Sequence, residues 1–177
     1  VQTCALPIWA AGATVAALTN GKCLAVNFGT SGASYLFVVN GTDPLWRYDG
    51  ATWTSVATIP ISGGGDLDTT TISNIAVFKR RLFFLIKGST QFYYLPIDSA
   101  GIADSVSPFP LGALFGLGGS LTAMSTWTVD GGQGIDDFAV FVTDNGQIAI
   151  YAGTDPADAN AWALQGIYNL STPVGPK

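Results

Sequence analysis

Short runs of β-forming residues, each stopped by a glycine-bearing turn, recur along the chain, and no stretch carries a convincing helical period of apolar residues. Tyr35-Leu-Phe-Val-Val39 stops at Asn40-Gly41, a dipeptide that tolerates positive φ and favours tight hairpins. The chain returns through Leu45-Trp46-Arg47-Tyr48, turns at Asp49-Gly50 and continues through Thr52-Trp53-Thr54-Ser55-Val56, which predicts a three-stranded meander. The pattern recurs where Ile75–Phe78 leads into Arg81–Ile86, with a turn at Lys87–Thr90 and a return strand Gln91–Leu95 that Pro96 ends. A third unit runs from Phe138–Thr143 through Asp144-Asn-Gly146 to Gln147–Tyr151. Ala157–Ala163 has Asp, Asn and Pro around it and reads as a loop.

These elements predict an antiparallel all-β fold. The turn glycines Gly41, Gly88 and Gly146 lie 47 and 58 positions apart. A propeller blade repeats every ~40–50 residues, so the first interval fits and the second requires an insertion, for which Pro108–Leu121 is the expected place. A competing echo, Gly-Thr-Asp-Pro at 41–44 and again at 153–156, implies a different alignment. Part of a β-propeller is the first expectation and a β-sandwich the alternative.

Composition narrows the function. Of the 177 residues 48% are apolar and only 11% charged, about half the usual charged share, which suits a subunit that buries surface against partner chains. The net charge of −5 argues against binding nucleic acid through its phosphates. Three of the seven basic residues sit together at Lys79-Arg80-Arg81, read as a solvated strand opening. The longest apolar runs are of strand length, far short of the ~20 residues of a membrane helix. Ala5–Leu18 lacks the basic start of a secretion signal. Val1-Gln-Thr-Cys-Ala-Leu-Pro-Ile8 resembles the translated end of a common short-read sequencing adapter. Residues 1–8 are therefore expected to be an artefact, and 9–177 a fragment of an all-β, propeller-like domain truncated at both ends. Discounting Cys4 leaves Cys23 alone, read as a small apolar residue.

The search for chemistry turns up little. The chain has no His, which removes the commonest general base and most zinc chemistry. Asp66 and Asp68 follow Gly63-Gly-Gly, and Asp130, Asp136 and Asp137 bracket Gly131-Gly-Gln-Gly134. Paired carboxylates can hydrolyse glycosides or hold calcium, but neither loop has calcium-loop spacing, the chain has no Glu, and Asp with Gly is what ordinary turns require. No catalytic, cofactor-binding or metal-ligating residue is assigned, no cofactor is expected, and the chain is read as a non-enzyme. Arg47-Tyr-Asp-Gly-Ala-Thr-Trp53 shares Asp-Gly and Thr-Trp with the sialidase Asp box but lacks its leading Ser and its spacing, and reads as a turn. Trp46, Tyr48 and Trp53 around it keep a glycan-binding module open as the alternative function.

Phe78-Lys-Arg-Arg-Leu-Phe-Phe84 resembles a run in the tail nozzle, or tubular tail, proteins of short-tailed bacteriophages. Met124-Ser-Thr-Trp-Thr-Val-Asp-Gly-Gly132 with Gly134–Thr143 is a more specific likeness, as is Ile150-Tyr-Ala-Gly-Thr-Asp-Pro156 with Trp162–Tyr168 and Pro173-Val-Gly175. The likeness spans roughly the C-terminal three-fifths of the chain. It implies a structural virion protein without a catalytic site: a nozzle subunit in a homo-oligomeric ring around the DNA exit channel, contacting other tail subunits and the head–tail adaptor. No specific nucleic-acid binding and no membrane association are implied, and an acidic wall lets DNA slide. It would be made in the host cytoplasm and reside in the virion.

Overall fold

The computed structural model describes residues 18–100, 104–130 and 135–170. The adapter-like segment 1–8 with Cys4, residues 131–134 and the end of the chain from 171 lie outside them. Among the described residues there are fourteen β-strands and no α-helix, as the turn-punctuated pattern predicts.

Three four-stranded antiparallel meanders follow one another. The first is β1 (Leu24–Gly29), β2 (Ser34–Val39), β3 (Leu45–Tyr48) and β4 (Trp53–Val56). A two-stranded hairpin follows, β5 (Thr58–Pro60) with β6 (Asp66–Asp68). The second meander is β7 (Ile72–Phe78), β8 (Arg81–Ile86), β9 (Gln91–Tyr94) and β10 (Ser107–Pro110). The third is β11 (Leu121–Asp130), β12 (Ile135–Thr143), β13 (Gln147–Gly153) and β14 (Trp162–Asn169). In each, every strand pairs only with its neighbour in sequence.

The three sheets begin at residues 24, 72 and 121, that is, 48 and then 49 residues apart. Gly41, Gly88 and Gly146 each link the second strand of their sheet to the third, with φ of 70°, 70° and 79°. The glycine register is therefore the structural one, and the Gly-Thr-Asp-Pro echo falls at non-equivalent turns. The longer second interval comes from the β11–β12 hairpin, whose strands have ten and nine residues against six or seven in the other sheets. This corrects the insertion expected at Pro108–Leu121. That stretch instead holds the end of edge strand β10, where Pro108 and Pro110 need no ladder N–H, and a 3₁₀ turn at Gly112–Leu114.

Two further expectations are corrected. The first meander has four strands, because Leu24–Gly29 pairs with Ser34–Val39 although only Phe28 in it is buried. Asn40-Gly41 opens a five-residue loop instead of a tight hairpin, since the Asn40 carboxamide oxygen accepts from the Thr42 and Asp43 N–H groups and carries the turn onward.

The chain divides into two compact units, Val1–Phe84 with Tyr93–Pro108, and Leu85–Phe92 with Phe109–Lys177. In the first, β1 and β2 lie against β7, and Phe28, Phe37, Leu45, Ile59, Ile72 and Leu82 are buried. Thr69 is fully buried among them. Its hydroxyl accepts from the Leu45 N–H at 3.0 Å and donates toward the Val56 and Ala57 carbonyls, which ties the hairpin connection to the first sheet. In the second, Phe92 stacks on Phe141 at 4.7 Å and on Phe109 at 5.1 Å, while Tyr151 meets Phe141 edge-on and stacks on Trp162 at 5.2 Å. Such aromatic pairs add to what their burial contributes, and burial also pushes the Tyr151 phenol above its ordinary pKa.

Candidate functional site

Side chains alternate between the two faces of a strand, so register decides which residues meet. Asn27 pairs with Leu36, Leu36 with Tyr48 and Tyr48 with Trp53, which places one side chain from each strand of the first sheet in a row on one face. Gly29 and Ser34 pair on that same face at the end of the sheet. An open cleft of about 400 Å³ is lined there by Asn27, Gly29, Ser34, Leu36, Tyr48 and Gly50, among others. None of its lining residues is charged. Tyr48 is held in place: its hydroxyl donates to the Gly50 carbonyl at 2.9 Å, and its ring lies 5.0 Å from that of Trp53. On the opposite face Arg47 covers Tyr35, with its guanidinium 4.8 Å from the ring centre.

The turn beside the cleft is built by Asp49. Its carboxylate accepts from the Thr52 and Ala51 N–H groups and from the Thr52 hydroxyl, and these bonds hold its pKa below the ordinary range. The partial likeness of residues 47–53 to an Asp box is thus a capped turn.

The acidic positions singled out from sequence fall on β6, β11 and β12. Asp66 and Asp68 lie on β6, with buried Leu67 between them. Asp68 caps the 3₁₀ turn Thr69–Thr71, and the Thr70 hydroxyl and N–H lower its pKa. Asp130 ends β11, Asp136 and Asp137 lie near the start of β12, and the Asp137 carboxylate accepts from the Thr128 hydroxyl at 2.8 Å. The first pair belongs to one compact unit and the other three to the second. Among the described residues no three acidic or Cys side chains converge as a metal site would require.

The basic tripeptide is corrected as well. Lys79 and Arg80 are the two-residue turn between β7 and β8, with φ of 45° and 62°, and only Arg80 is exposed. Arg80 makes a two-pronged ion pair with Asp98. Arg81 is buried in β8 with its guanidinium toward the Leu95 carbonyl. The Cys23 thiol, just before β1, donates to the Asn20 carbonyl at 3.5 Å.

Sequence reasoning missed a repeated clamp. The Thr19 N–H and hydroxyl donate to the two carboxylate oxygens of Asp43 at 2.8 and 2.7 Å. The Ser120 N–H and hydroxyl do the same to Asp144 at 2.7 and 2.9 Å. Donor and acceptor are 24 residues apart in both cases. Each clamp fastens the approach to a sheet's first strand onto the turn between its second and third strands. The signal was a Ser or Thr 24 positions before a turn Asp, a spacing with no meaning until the strands are placed. Among the described residues no helix is long and apolar enough to cross a membrane.

No family model, curated protein or solved structure matches the chain.

Proposed function

We propose that the three four-stranded sheets are blades of a β-propeller, and that the chain is a structural subunit of a bacteriophage tail nozzle, acting through assembly and not catalysis. The observation that carries the reading is the run of three meanders of one strand order, spaced 48 and 49 residues apart and each turning on a glycine at the same place. Blades are units of this kind. The resemblance to nozzle proteins adds the assembly: its most specific runs fall on the β11–β12 hairpin and on β13 and β14. Those elements also carry much of the exposed apolar surface, with Trp127 54% and Tyr168 56% accessible. The acidic balance suits a subunit near a channel through which DNA slides. The subunit's partners are other copies of itself, neighbouring tail subunits and the head–tail adaptor, in the virion.

The complete gene and its neighbours test this. Portal, terminase and adaptor genes alongside are expected, and the full product should form rings with a central channel by negative-stain electron microscopy. A neighbourhood of secreted hydrolases or polysaccharide genes, with a product that stays monomeric, overturns the reading.

A further inference from the structure

We infer that the cleft on the first sheet is a binding site for a short neutral oligosaccharide. The row Asn27, Leu36, Tyr48 lines the cleft across three strands, and at the usual strand spacing it spans about 10 Å. A row of that length accommodates more than a single sugar ring, and the cleft volume of about 400 Å³ is within the range of small-ligand sites. Its chemistry divides as a pyranose does. Tyr48 presents an aromatic platform to the C–H groups of a sugar face, and the Gly50 bond together with Trp53 holds the ring before any ligand arrives, which lowers the ordering cost of binding. Asn27 and Ser34 supply the polar complement. Both are exposed on this face, and among the described residues neither side chain has a hydrogen-bond partner. An amide and a hydroxyl both donate and accept, as sugar hydroxyls do.

The absence of charged lining residues, in a chain of net charge −5, favours an uncharged sugar over an acidic one. Asp49, the nearest turn carboxylate, is already occupied by its three turn bonds. The inference does not rest on the subunit reading, and either can fail alone.

Affinity electrophoresis of the intact chain through gels containing dextran, galactomannan, laminarin or alginate tests it, with tryptophan fluorescence as a second readout. Retardation is expected in at least one neutral gel and not in alginate alone. Asn27→Ala and Ser34→Ala should each weaken binding several-fold and Tyr48→Ala about tenfold. Leu117→Ala, in the other compact unit, should leave it unchanged. Because Tyr48→Ala also removes packing, the two exposed polar positions decide the matter. No retardation in any neutral gel, retardation in alginate alone, or binding indifferent to Asn27→Ala and Ser34→Ala overturns the proposal and leaves the face as a packing surface for protein.

Discussion

Thr69 is one of the few fully buried polar residues, and its hydroxyl answers backbone groups from two strands of the first sheet. Thr69→Val keeps the shape and removes the partner, stranding the Leu45 N–H; the loss should be about 1–3 kcal/mol in urea unfolding. The clamp aspartates give a second prediction. Burial alone would raise the Asp43 carboxyl, but the hydrogen bonds from Thr19 and Asn40 outweigh it, and for Asp144 the Ser120 N–H is the largest influence; both carboxyls lie below their ordinary value of 3.8. A depressed folded pKa contributes stability above the unfolded value, and that contribution is lost as pH falls through the folded one. Stability should therefore drop as pH is lowered beneath 3.8, and Asp144→Asn should flatten that acid limb in pH-dependent thermal melts. None of these roles was legible in the sequence. Asp144 reads as an ordinary turn residue, and its partner lies 24 positions away.

Elements were legible in proportion to their burial. β8 is buried from Arg81 to Leu85, and Leu82–Ile86 within it stands out as an unbroken apolar run, as central strands do. Edge strands β1, β10 and β14 are open to solvent along at least one face, and their sequences carry Asn, Pro or Gly where alternation would be expected. The Lys79-Arg80 turn was missed for a related reason: both residues adopt the left-handed region that Asn-Gly would announce. Two side chains held there cost about 1–2 kcal/mol each. Lys79→Asn should recover about 0.5–1 kcal/mol by chemical denaturation, with the Arg80–Asp98 pair left intact. Gly153 is the opposite case. Its φ is 130°, and an added Cβ would come within 1.9 Å of the Ala161 carbonyl oxygen. Gly153→Ala should separate the start of β14 from β13 and destabilise by at least ~2 kcal/mol in the same assay.

At the scale of the molecule, the all-β class was visible from the strand runs and their turn glycines, and the first repeat interval from Gly41 and Gly88, whereas the site of the extra residues in the second was not. Pro and Gly made 108–121 look like an insertion, while the true extension sits in two strands whose pattern is regular. Low charge was the other legible trait, and β14 localises part of it: Leu164, Ile167 and Tyr168 are exposed on an edge strand without a charged residue. Such an edge invites pairing between copies. Sedimentation should show concentration-dependent association, and Ile167→Lys should reduce it while leaving the melting temperature within a degree or two. The pairing of each strand with its sequence neighbour also governs how the fold is reached. Contacts between partners adjacent in sequence close small loops and are reached sooner than those between distant segments. A hairpin can therefore gather itself as it leaves the ribosome, whereas the first sheet completes its core only once Thr69 and β7 have followed it.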